Sequence, residues 1–154
     1  MAPTRLVRMR NPPFRSPRAK VGGLYHFGRM VDKIRLRLKG RLPAEYLSNL
    51  GLIQGLDGHC CGFLGIQYAD LVERLKQPGT DDEILEWCYS KGLRPNAVQI
   101  SIWNSFAEKF GWRDPASQFV SRVKKEDGLT DRDDLVTTFE IIDYREGRVG
   151  KNSP

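Results

Sequence analysis

Apolar residues return at steps of three and four along this chain, and no stretch alternates apolar with polar long enough to make a strand. That periodicity confines the polypeptide to helices. Leu24, Phe27, Val31, Ile34 and Leu38 make the clearest stripe, flanked by Tyr25, Met30 and Leu36. It predicts one long helix from Val21, with Gly40 as its stop. Pro43 to Leu50 reads as a short helix that Pro43 can open at its first position. Further on, start signals punctuate the pattern: Thr80 with Glu83, Asn96 with Gln99, Asp114 before Pro115, and Thr130 with Asp133. The fold class expected is all-α, a compact single domain of about six to seven helices.

A chain of 154 residues suits one domain with a proper core. The expected boundaries are a basic flexible arm over 1–15, a helical domain over 16–146 and a flexible tail over 147–154. No apolar run approaches the roughly 20 residues of a membrane helix, and the basic start lacks the apolar core of a signal peptide. Three cysteines, two of them adjacent, fit a reduced, cytoplasmic protein rather than a disulfide framework. Residues 1–41 carry twelve Lys and Arg against one acid, Asp32, whereas the remainder carries thirteen against eighteen. Such a split suits either a nucleic-acid partner or a basic segment neutralised by its own acidic remainder; the second is the commoner outcome.

Reactive side chains crowd together in the stretch Asp57-Gly58-His59-Cys60-Cys61-Gly62-Phe63-Leu64-Gly65. Contiguous His59, Cys60 and Cys61 diverge along the backbone, so their spacing is poor for one metal ion, and no metal or cofactor is expected. A thiol-dependent enzyme would use Cys60, placed near the start of a helical turn capped by Asp57. Helical projection puts Cys61 in the core and makes Cys60 the less buried of the pair. A third reading needs less: a binding or regulatory module for a small ligand, acidic ones included, or a protein partner. Its site would lie where the first helix offers Arg29, Asp32 and Lys33 to Asp57, His59 and Cys60. This non-catalytic reading leads. The Cys60 enzyme and nucleic-acid association through the basic segment are the alternatives, and no membrane role is expected. Trp87, Trp103 and Trp112 read as core residues.

Several blocks also carry a family likeness. They are Arg15-Ser16-Pro17-Arg18-Ala19-Lys20-Val21-Gly22-Gly23-Leu24, Arg29-Met30-Val31-Asp32-Lys33-Ile34-Arg35, the Asp57–Gly65 stretch, Ile84-Leu85-Glu86-Trp87-Cys88, Trp103-Asn104-Ser105-Phe106 and Gly111-Trp112-Arg113-Asp114. In this order they resemble a bacterial family, number five-thousand-and-sixty-nine in the domain-of-unknown-function series, over roughly residues 15–146. The resemblance implies a small bacterial domain without an established activity, so no catalytic residue carries over from it. That family pattern favours a basic residue where His59 stands here.

Overall fold

The structure is a computed structural model and describes residues 11–148. Seven α-helices follow one another: α1 Phe27–Leu38, α2 Leu56–Leu64, α3 Tyr68–Arg74, α4 Asp81–Lys91, α5 Ala97–Lys109, α6 Ser117–Glu126 and α7 Thr138–Arg145. A 3-10 helix, Ala44–Asn49, lies between α1 and α2. Among the described residues there is no strand, and an isolated bridge joins Val21 to Leu24. The all-α expectation therefore holds.

The expected first helix starts later than its stripe. Gly22, Gly23 and His26 all take positive φ, at 56°, 81° and 72°, so a turn occupies the segment where the helix was expected to begin. Leu24 and Phe27 still reach the core, because the turn folds back beneath α1. Two start signals act as read. Thr80 Oγ1 accepts from the Glu83 N–H at 3.2 Å, and Asn96 and Gln99 form a reciprocal capping box. Two others differ. Asp114 accepts from the Gly111 and Ala116 N–H groups at 3.0 and 2.9 Å, bracing the corner before α6 rather than capping it. The box that starts α7 is Thr137 with Glu140, not Thr130 with Asp133.

One core cluster runs through Phe27, Met30 and Ile34 of α1 to Leu64, Leu71, Ile84 and Trp103 on the next four helices, and to Phe139 of α7. A smaller cluster of Val120, Val123, Leu129, Leu135 and Ile141 holds α6 to α7. Trp87 packs against the larger cluster, but Trp112 is exposed at the α5–α6 corner, where Arg113 lies over its ring. Val98 and Ile102 also face outward, since α5 turns Trp103 and Ala107 inward instead.

The ion pairs show what the basic segment does. Arg15 bridges Asp32 and Asp81, Arg18 meets Asp143, Arg29 meets Glu146 and Arg35 meets Asp81. Among the described residues, then, four arginines of the basic segment are paired, with Asp32 of the segment itself and with Asp81, Asp143 and Glu146 from later in the chain. Residues 1–10 of the expected arm and 149–154 of the expected tail lie outside the described residues. The flanks that are described are packed: Phe14 is buried, and Arg148 donates to the Phe14 carbonyl at 2.6 Å.

The end of α4 is held close to the end of α2. Leu93 N–H donates to Leu64 O at 2.8 Å, and a Cβ on Gly92 would come within 2.0 Å of that same carbonyl oxygen. Backbone on both sides cannot rotate away. Gly92→Ala is expected to lower unfolding free energy by roughly 1–3 kcal/mol or more, read from the midpoint of urea denaturation. An unchanged midpoint would show that this corner opens freely.

Candidate functional site

A cavity of about 750 Å³ opens between the two core clusters. Its size falls within the range of small-molecule sites. α1 supplies its polar floor because residues three and four apart share a helix face: His26, just before the helix, with Arg29 and Lys33. α2 adds Asp57 and His59, the 3-10 helix adds Tyr46, α7 adds Thr138, and Glu146 follows directly after α7. Leu52, Ile53, Phe106, Phe110, Phe119 and Ile142 supply apolar wall and rim.

Two buried charge systems shape this floor. In the first, Arg29 donates from both guanidinium nitrogens to Glu146, at 2.8 and 2.7 Å. Tyr46 O–H adds a bond to Glu146 Oε2 at 3.0 Å, and Arg148 also pairs with this carboxylate. Burial alone would push the Glu146 carboxyl up, but these donors outweigh it and hold it below the usual range. Phe14 closes the far side, its ring 4.9 Å from the Arg29 guanidinium.

In the second system, His26 Nε2 lies 2.7 Å from Asp57 Oδ1, and the Gly51 N–H donates to Asp57 Oδ2 at 3.0 Å. Burial opposes ionisation of Asp57, yet the His26 bond, the Lys33 charge and the Gly51 bond together hold its carboxyl at about 2. Burial pushes the His26 imidazole down despite Asp57, with Lys33 and Arg29 repelling its charge further. A neutral ring facing a carboxylate must carry its hydrogen on Nε2, which leaves a lone pair on Nδ1. Nδ1 is buried without a hydrogen-bond partner among the described residues, as is Thr138 Oγ1.

Lys33 stands apart from both systems. It is 5 % exposed, and its ammonium lies 5.7 Å from the Tyr46 ring centroid. Among the described residues it has no hydrogen bond or ion pair with a carboxylate. Burial pushes its amine down from the usual lysine range; Asp57 and Glu146 offset part of that, and Arg29 adds to it.

Of the residues expected at the site, Arg29, Lys33, Asp57 and His59 line this one cavity. Asp57 does not cap α2. It sits inside the helix, after an N-terminal Gly55, and its carboxylate turns to His26 and Gly51. His59 Nδ1 lies 2.7 Å from Gly55 O, with its ring against Phe106 and Phe110. Asp32 is placed elsewhere. It accepts three bonds from Arg15, at 2.8, 2.9 and 3.0 Å, rather than pairing with Arg29 or Arg35.

Cys60 is likewise outside the cavity lining, and its predicted exposure is reversed: Cys60 is 0 % and Cys61 4 % exposed. Leu56, Cys60 and Leu64 form the stripe that α2 buries, while Cys61 touches Met30 at 3.9 Å. Burial pushes the Cys60 thiol well up and the Cys61 thiol to about 12, opposite to what a nucleophilic thiolate requires. Among the described residues no three His, Cys, Asp or Glu side chains group as a metal site. Nor is any helix there long and apolar enough to cross a membrane.

The residues expected at the site did not include His26, Tyr46, Thr138 or Glu146. A histidine three residues before Arg29 and seven before Lys33 was a usable signal, because those spacings share a helix face. Glu146 gives no local signal, since its partner is 117 positions away.

Fold and cavity together define a small all-α domain with an internal chamber walled by paired charges on one side and aromatic rings on the other. The chain belongs to the family described as Domain of unknown function (DUF5069), whose model matches residues 11–148. No curated protein matches the chain.

Proposed function

We propose that the cavity binds a small molecule with an apolar body and one acidic headgroup, and that Lys33 is the headgroup's counter-ion. The observation that carries this reading is the buried Lys33 amine, without an ion pair while its charged neighbours on the floor have partners. Asp57 is committed to His26 and Gly51, and Glu146 to Arg29, Tyr46 and Arg148. Among the described residues of the floor one cation is therefore left for a ligand, which argues for a single anionic group. The role is binding or regulation, with a protein partner as the alternative occupant. A cytoplasmic setting is supported by three free, buried thiols.

Burial holds the Lys33 amine down. An anion beside it raises its affinity for a proton, so binding takes up a proton and weakens as pH rises. Asp57, Glu146, Tyr46, His26 and Arg29 are the charged or titratable groups around it. Isothermal calorimetry with octanoate, in two buffers of different ionisation enthalpy, tests this. Expected are saturable binding with proton uptake and a loss of about 10- to 100-fold in Lys33→Met, the worth of one charged hydrogen bond of roughly 1.5–3 kcal/mol. Absence of binding, or equal binding by Lys33→Met, would reject the reading.

A further inference from the structure

The same amine has a second chemistry open to it. We propose that the cavity also captures apolar aldehydes or ketones covalently, as imines on Lys33. This rests on the reading of the cavity as a ligand site and names a further class of ligand for it.

An amine attacks a carbonyl only in its neutral form. Exposed lysines are held as ammonium by water and by carboxylates. Lys33 is 5 % exposed, so little water reaches it, and the acids near it are occupied by other donors. Arg29, one turn earlier on the same face of α1, opposes a second positive charge beside it. Desolvation of this kind is one of the recognised ways to activate a lysine nucleophile. Phe106, Phe110 and Ile142 provide apolar surface for the carbonyl compound's body.

The bond changes balance without an outside oxidant or reductant. Lys33 Nζ bonds to the carbonyl carbon, the C=O π pair moves to oxygen, and that oxygen takes a proton to give a carbinolamine. A nitrogen proton then leaves, the hydroxyl departs with a second proton as water while the C=N bond forms, and the resulting iminium loses its remaining nitrogen proton to give the imine. Water entering by the cavity mouth can supply and take up these protons. Acid binding uses the ammonium and imine formation the free amine, so the two kinds of ligand compete for one group.

The test uses the wild-type chain with octanal and sodium cyanoborohydride at neutral pH, followed by peptide mapping. The expected result is an octyl adduct on Lys33 that accumulates at least ten-fold faster than on exposed amines such as Lys39 or Lys76. Excess octanoate should suppress it selectively. Adducts spread over surface lysines with Lys33 unmodified would overturn the proposal, and so would a Lys33 adduct that octanoate leaves unaffected while octanoate itself binds. Octanoate binding without a Lys33 adduct overturns the imine alone. Failure of both ligands removes the cavity reading with it.

Discussion

Glu146→Ala is expected to lower the unfolding free energy by roughly 3–5 kcal/mol, the cost of breaking a buried ion pair by removing one partner. Arg29 is left at 3 % exposure, with its charge intact and its bidentate acceptor gone. Tyr46 O–H loses its acceptor at the same time, and Arg148 loses one of its two carboxylates. Urea denaturation at neutral pH gives the number. Arg29→Met combined with Glu146→Leu should recover most of the loss, because replacing both members of a buried pair with apolar residues is often neutral or better. A single-variant cost below about 1 kcal/mol would mean that water reaches Arg29 freely once the carboxylate is gone.

The Arg29–Glu146 pair also marks the limit of what the chain's pattern discloses. Arg29 and Lys33 could be placed on one face from spacing alone, because helical geometry is local. The identity of their partners could not. Asp32 lies one residue from Lys33, but its partner Arg15 comes from a segment whose prolines and arginines read as an arm. Glu146 was assigned to the end of the domain, next to a presumed tail, with nothing local to mark it as the closing carboxylate. The core fared similarly. Phe27, Val31 and Ile34 were visible in the stripe, whereas the turn that delays α1 depends on three positive-φ residues that interrupt no apolar spacing. Thr137 and Glu140 were hidden for a related reason. They sit inside a run of apolar positions that looked continuous from Leu135, so the earlier Thr130 was read as the start.

Asp57→Ala should be nearly as damaging as the loss of Glu146. It removes the acceptor of two donors at once, His26 Nε2–H and the Gly51 N–H. Leaving each unsatisfied costs roughly 1–3 kcal/mol. Asp57→Asn should cost less, since its amide oxygen can still accept from one of them. The pH dependence follows with a definite sign. The folded Asp57 carboxyl titrates at about 2, below its ordinary 3.8, so its contribution is complete above that ordinary value and disappears as pH falls towards 2. His26 acts earlier. Its imidazole is held below the ordinary 6.5, so below that pH the unfolded chain takes up a proton that the folded one refuses. Stability should therefore begin to fall as pH drops through 6.5, with a slope of at most about 1.4 kcal/mol per pH unit for one group. His26→Gln should remove the upper part of this decline and leave the lower part. A wild-type profile flat from pH 7 to 5 would contradict the assignment of a neutral His26.

The 117-position separation of Arg29 and Glu146 has a consequence for biosynthesis. A ribosome makes α1 early and α7 late, so the nascent chain carries Arg29 through most of translation without its carboxylate. Contacts among α1 to α5 can collapse around Phe27 and Leu64 before Glu146 exists, while the charged floor of the chamber cannot. Long loops must close before such distant pairs gain anything, which places them late in folding as well as in synthesis. The charged floor is thus completed near the end of production, and a chain cut short before residue 146 would hold a partial core with an unneutralised arginine inside it. Such a copy would keep a helical body that reopens easily at the face which α7 and Glu146 otherwise close.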